Sequence, residues 1–112
     1  VIVDALDSIE SRKWVAKACT ELSIPFVHGA IAGWYGQVST IFPGDNTLEK
    51  LYHAQCGKGD EVQLGNPSFT PALVASIQVS EVIKLLIDRG DVLRNQVMHI
   101  DLLCNEINVF DL

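Results

Sequence analysis

Four kinds of side chain in these 112 residues could do chemistry: an aspartate between a strand-like and a helix-like run, an arginine five positions on, a cysteine in a glycine-rich loop, and three scattered histidines. Asp7 follows the apolar run Val1 to Leu6, where the carboxyl end of a strand gives way to a helix. Open α/β sheets hold their ligands at that edge. A carboxylate there suits Mg²⁺, a hard ion that takes one or two protein oxygens and fills its shell with phosphate and water. The same residue could instead cap the helix, with Glu10 three positions on completing a capping box, and capping is the commoner employment of such an aspartate. Arg12 lies in the first turns of that helix, where it could grip a carboxylate or phosphate bidentately or stand in solvent.

Cys56 is the cysteine that falls in a loop, and Lys58 next but one favours its thiolate; an ordinary exposed thiol is the plainer reading. Cys19 and Cys104 read as small core residues. An odd count of three, with no C-x-x-C, excludes a disulfide framework and a zinc site and points to reduced thiols in a cytoplasmic protein. His28, His53 and His99 show no metal-ligand spacing and read as structural. Gly29, Gly33 and Gly36 form G-x-x-x-G-x-x-G, neither a dinucleotide fingerprint nor a phosphate loop, so the chain carries no phosphate cradle of its own. A net charge of −6 spread along the chain argues against nucleic acid as a partner. No apolar run approaches the ~20 residues of a bilayer span, so neither a membrane segment nor a signal peptide is expected.

The elements that must position these groups form one α/β domain. Val1 to Leu6 reads as a strand. Trp14, Ala18 and Leu22, four apart, with Val15 and Cys19 beside them, mark the predicted buried face of a helix that stops near Ser23 ahead of Pro25. Pro25 to Ala30 supplies a second strand, giving a right-handed β-α-β crossover with parallel strands. Gln37 to Phe42 alternates polar and apolar, which predicts an antiparallel strand with one wet face. The stretch Pro25 to Phe42 is thus the centre of the sheet. Residues 43–69 make a long crossover loop that Leu48, Leu51 and Tyr52 are able to anchor. Thr70 and Pro71, as cap and first-turn proline, open a helix to Arg89 with Gly90 as its stop. That helix is apolar nearly all round, which predicts burial on more than one side. Gln96 to Leu102 and Glu106 to Leu112 read as two strands about a Cys104–Asn105 turn, the second an edge. Beginning as it does inside a strand, the chain is expected to be a fragment.

Three motifs together resemble the second half of the ThiF/MoeB/HesA family, relatives of ubiquitin-activating enzymes: Asp4 to Asp7 with Arg12, His28 to Val38, and Gly65 to Ser76 with Glu81 to Lys84. The resemblance covers nearly all of residues 1–112. It implies a partial Rossmann-like ThiF/MoeB-type fold, a mixed sheet with two main helices, without the N-terminal nucleotide-binding half. It also implies part of an ATP-dependent adenylyltransferase that activates the C-terminal glycine of a ubiquitin-like sulfur-carrier protein for thiamine, molybdopterin or related sulfur transfer, commonly as a homodimer. In that family the aspartate matching Asp7 binds Mg²⁺ and ATP, a role that displaces the plain cap, and the arginine matching Arg12 lies near the carrier's tail. The departures are Ser8 in place of the usual Asn, no C-x-x-C pairs and hence no expected zinc, and Gln63 where some members place a reactive cysteine. Cys56 is left as a displaced thiol candidate. Without the nucleotide half, the fragment is expected to be inactive and to bind no cofactor by itself. The alternative is a non-catalytic dimerisation or partner-binding module of the same fold.

Overall fold

The structure, a computed structural model, describes residues 1–53 and 65–112. Its frame is a mixed five-stranded sheet in the order β1-β2-β3-β4-β5, formed by Ile2–Val3, Phe26–Ala32, Tyr35–Ile41, Gln96–Asp101 and Glu106–Asp111. β1 runs parallel to β2, with Ile2 opposite Phe26 and Val3 opposite Val27, and the remaining pairs are antiparallel. The mixed α/β architecture and the central place of β2 and β3 are as the sequence predicts. β2 and β3 form one tight hairpin, in which Ala32 pairs with Tyr35 and the loop is Gly33–Trp34. Gly33 takes φ 60° there, a conformation that glycine adopts without steric cost.

Helices cover both faces. On one side lie α1 (Ile9–Glu21) and the short α2 (Thr47–Leu51), closing a core of Ile9, Cys19, Phe26, Ile41, Leu48 and Tyr52. Leu48 and Tyr52 do anchor the crossover, with Leu51 packed beside them. On the other side α3 (Phe69–Ile87) closes a core of Val38, Val74, Leu93 and Ile100. Because β3 lies between both layers, Val38, Ser39, Thr40 and Ile41 are all buried, and the expected wet face of this strand does not exist. Its polar residues are paired instead: Ser39 Oγ donates to Gln96 O at 2.6 Å and Thr40 Oγ1 to Glu81 at 2.6 Å. Glu81 also accepts from the Leu93 backbone at 2.8 Å and from Lys84.

Both main helices differ from expectation in the face they bury. In α1, Trp14 and Leu22 are 65% and 68% exposed, and the buried stripe is Ile9, Arg12 and Cys19. Residues 9, 12, 16 and 19 share a helical face as well as 14, 18 and 22 do, and an arginine at its centre hides that stripe from any reading based on apolar spacing. In α3 the buried residues are Thr70, Val74, Gln78 and Glu81, while Val79, Ile83, Leu86 and Ile87 are exposed. Burial is on one side, and that side is largely polar. The helix is long and apolar enough, with mean hydropathy 1.5, to pass for a bilayer span by length and composition, yet its hydrogen bonds to the sheet make it a core helix. Thr70 lies inside the helix, after the cap residue Ser68, and donates to Gly33 O at 2.8 Å instead of capping. The helix ends at Asp88 in the left-handed conformation, φ 51°, two residues before Gly90. Cys104 is exposed in the β4–β5 turn, not in the core.

Close approach between α3 and the sheet depends on two glycines. A Cβ at Gly29 would stand 2.5 Å from Nε2 of Gln78, and one at Gly36 2.5 Å from Cγ2 of Val74. Gln78 cannot swing aside, since that same Nε2 donates to Asp4 O at 2.8 Å and Val27 O at 3.1 Å. Gly29→Ala is therefore expected to destabilise the fold by about 1–3 kcal/mol, the usual cost of overpacking a filled interior. Denaturant unfolding measures it, and an unchanged midpoint would show that α3 can lift without loss.

Candidate functional site

Beyond Val3 the chain leaves the sheet and turns into α1 through residues 4–8, the turn that carries Asp7. Asp4 begins it, only 2% exposed. A buried carboxylate must be paired and hydrogen-bonded to persist, and Asp4 is held on every side. Its N–H donates to Val27 O at 2.9 Å and its carbonyl accepts from Gln78. Oδ1 accepts from the Leu6 N–H at 3.0 Å, and Oδ2 accepts from Arg12 Nε at 3.1 Å and His28 Nδ1 at 2.6 Å. Arg12, 5% exposed, also donates from a terminal nitrogen to Leu6 O at 2.6 Å.

His28 is fully buried on β2, a structural histidine with partners on both nitrogens. With Nδ1–H donated to Asp4, its Nε2 accepts from Gln37 at 3.0 Å and from the Tyr52 hydroxyl at 3.2 Å. Tyr52 further meets the ring edge-on at 5.6 Å between centroids and accepts from Gln37 at 2.8 Å. Sequence reasoning took His28 as structural and Tyr52 as an anchor, but it gave Gln37 and Gln78 no role and missed the network that joins them to Asp4. These five residues lie on separate elements or turns, and no local spacing joins them. Polar residues within largely apolar strands, His28 in β2 and Gln37 in β3, are the one local signal.

Asp7 itself is exposed and lies one residue outside the helix cap. The cap is Ser8: its Oγ accepts from the Ser11 N–H at 3.1 Å, and Ser11 Oγ returns a bond to Ser8 O at 3.0 Å. Ser8 thus takes the cap that Asp7 was expected to supply, without a capping box, and the N-cap role falls away from Asp7. An exposed carboxylate just past the carboxyl end of β1 is the donor type that Mg²⁺ takes singly, with substrate phosphates as its other ligands. Among the described residues no group of three or more His, Cys, Asp or Glu gathers for an all-protein metal site. Arg12, expected near a carrier's tail, is turned inward onto Asp4 and Leu6. Cys56 and Gln63 lie outside the described residues. The two described thiols are poor nucleophiles: burial pushes Cys19 up, and the carboxylate of Asp101 does the same to Cys104. His53 is exposed, and His99 is stacked against Tyr35 at 6.3 Å.

Burial lowers the pKa of His28 from its ordinary 6.5, outweighing the raising effect of Asp4, and Arg12 adds to the lowering. The native protein therefore binds fewer protons than the unfolded chain below that value, and stability falls as pH drops beneath about 6.5 until the buried ring itself titrates. The melting temperature is expected to decline between about pH 7.5 and 5.5, and more shallowly in His28→Asn, which keeps a donor near Asp4 but does not titrate. Parallel declines in the two proteins would remove His28 as the cause.

The chain is 33% identical over 104 residues to the SAMP-activating enzyme E1 of Haloferax volcanii, covering 90% of this chain and 38% of the relative. It is 37% identical over 89 residues to the sulfur carrier protein ThiS adenylyltransferase of Bacillus subtilis, covering 77% and 26%. It thus spans little more than a third of the first relative and about a quarter of the second. The crystal structure of E. coli MccB with MccA shares the fold, with a TM-score of 0.67 at 15% identity, over 97% of this chain and 34% of that one. The ThiF family matches residues 1–112, and the chain belongs to that family.

Proposed function

We propose that the chain is the carboxyl-terminal part of an ATP-dependent adenylyltransferase that activates the C-terminal glycine of a ubiquitin-like sulfur-carrier protein, in thiamine- or molybdopterin-type sulfur transfer. The observation that carries this reading is the place of Asp7: an exposed carboxylate beyond the end of β1, outside the helix cap, on a turn fastened from beneath. The names of the two relatives, a SAMP-activating enzyme and a sulfur carrier protein ThiS adenylyltransferase, support the carrier class.

Adenylylation joins a carrier carboxylate to the α-phosphorus of ATP as the bond to the β-phosphate oxygen breaks and pyrophosphate leaves. Both reactants are anions, so charge compensation at the reacting phosphate is the main demand on the site. Mg²⁺, bound when present by Asp7 and the nucleotide phosphates, supplies part of it. Asp7 comes just after β1, at the carboxyl edge of the sheet where such ligands sit. No glycine-rich phosphate loop occurs in these residues, so they contribute the metal-binding carboxylate and not the phosphate cradle, and by themselves are expected to be inactive. A cytoplasmic homodimer goes with this reading. A second reading, a non-catalytic dimerisation or partner-binding module, is favoured by the exposed apolar face of α3.

In the full-length protein, Asp7→Ala is expected to cut carrier-dependent ATP–pyrophosphate exchange by about 10²-fold or more, with little change in melting temperature since the side chain is exposed. Undiminished exchange in the variant refutes the Mg²⁺ role. An unsubstituted protein that shows no exchange with any sulfur carrier supports the second reading.

A further inference from the structure

The geometry points to Arg12 as a positioning residue: with Asp4 and His28 it forms a buried clamp that fixes the turn carrying Asp7 and so sets where the metal-binding carboxylate stands. This rests on the adenylyltransferase reading and deepens it.

β1 pairs with β2 only through Ile2 and Val3, and beyond the Asp4 N–H bond to Val27 O the turn has no ladder to hold it. Its fastening comes from below. Leu6, the residue before Asp7, has both backbone groups engaged: its N–H donates to Asp4 Oδ1 and its carbonyl accepts from the Arg12 guanidinium. Ser8, the residue after, has its carbonyl engaged by the Arg12 N–H at 3.2 Å. Arg12 thus touches the turn on both sides of Asp7, once with its side chain and once with its backbone. A further contact, Nε on Asp4 Oδ2, couples the turn to His28 on β2, and Gln78 of α3 secures the Asp4 carbonyl.

A desolvated ion pair is a weak source of stability, and apolar residues of like volume often serve a core as well. Directional placement is what such a pair adds. A guanidinium presents several donors in a rigid fork, so a single Arg12 can span Asp4 and the Leu6 carbonyl. A lysine can hold one or the other. Active groups need placement to within about 0.5 Å, and their supporting residues supply it. The inward turn of Arg12 also separates this role from the carrier-tail role that the family resemblance implies, because Nε and one terminal nitrogen are committed within the turn.

The test uses the full-length protein with Arg12→Lys, His28→Leu, His28→Asn and Asp7→Asn. ATP binding is followed calorimetrically across a Mg²⁺ titration, alongside melting temperature and the Mg²⁺ dependence of exchange. Arg12→Lys is expected to raise the Mg²⁺ concentration for half-maximal effect about tenfold, in binding and in exchange alike, with most of the maximal rate recovered at high Mg²⁺. His28→Leu is expected to do the same and His28→Asn to restore most of the loss; should His28→Leu fail to fold, Arg12→Lys decides. If Arg12→Lys and His28→Leu lower the melting temperature but leave the Mg²⁺ midpoint unchanged while Asp7→Asn abolishes the Mg²⁺ effect, the clamp is structural only and the proposal fails. A raised KM for the carrier with an unchanged Mg²⁺ midpoint overturns it in favour of the tail role. If Asp7→Asn itself leaves the Mg²⁺ effect intact, the functional reading fails first.

Discussion

A single desolvated carboxylate, Asp4, holds the layers of this domain to one another. It comes directly after the last paired residue of β1 and accepts from α1 through Arg12 and from β2 through His28, while its carbonyl accepts from α3 through Gln78. Apolar burial closes a core on each face of the sheet, but burial is indifferent to small slides and rotations. Hydrogen bonds in a medium of low dielectric are not, since an unmet partner there costs the full desolvation of the group. Strand end and helix start are accordingly fixed together at Asp4, and α3 is tied to the same point through Gln78.

Much of the architecture was legible because it comes from local rules. Pro25 stops a helix, the alternation of β-α-β sets a parallel pair, and the alternation of Gln37 to Phe42 marks an antiparallel strand. Gly90 and the run before it place the end of α3 to within a few residues. These signals act over a handful of positions and survive any tertiary context that keeps the strands in register. The long crossover was legible in its anchors, Leu48, Leu51 and Tyr52, for the same reason.

The departures from expectation share one physical cause. Apolar spacing locates helix faces correctly only where apolar residues are the buried ones, and here both main helices bury charged or polar residues among the apolar ones. Arg12 sits inside because Asp4 and the Leu6 carbonyl give its donors partners; Trp14 and Leu22 sit outside because that stripe faces away from the sheet. Of the candidate site, Asp7 stood out from sequence by its place after a strand, a local signal. The residues that hold Asp7 did not, because their partners are up to 74 positions apart in sequence. A preference for Asp7 as cap gave way for a local reason too: Ser8 and Ser11 form a reciprocal pair one residue further on.

A helix oriented by its polar side, as α3 is, has little freedom to turn about its own axis. Thr70, Gln78 and Glu81 each meet a specific backbone or side-chain partner, at Gly33, Asp4 and Val27, and Thr40 and Leu93 respectively. Turning the helix by one residue, about 100° about its axis, would break every one of these bonds at once. The rotational setting of α3 is thus all-or-none, and it is decoupled from the composition of its outer face. Sequence drift on that face, among Val79, Ile83, Leu86 and Ile87, can tune what the domain meets there without disturbing how the domain is built.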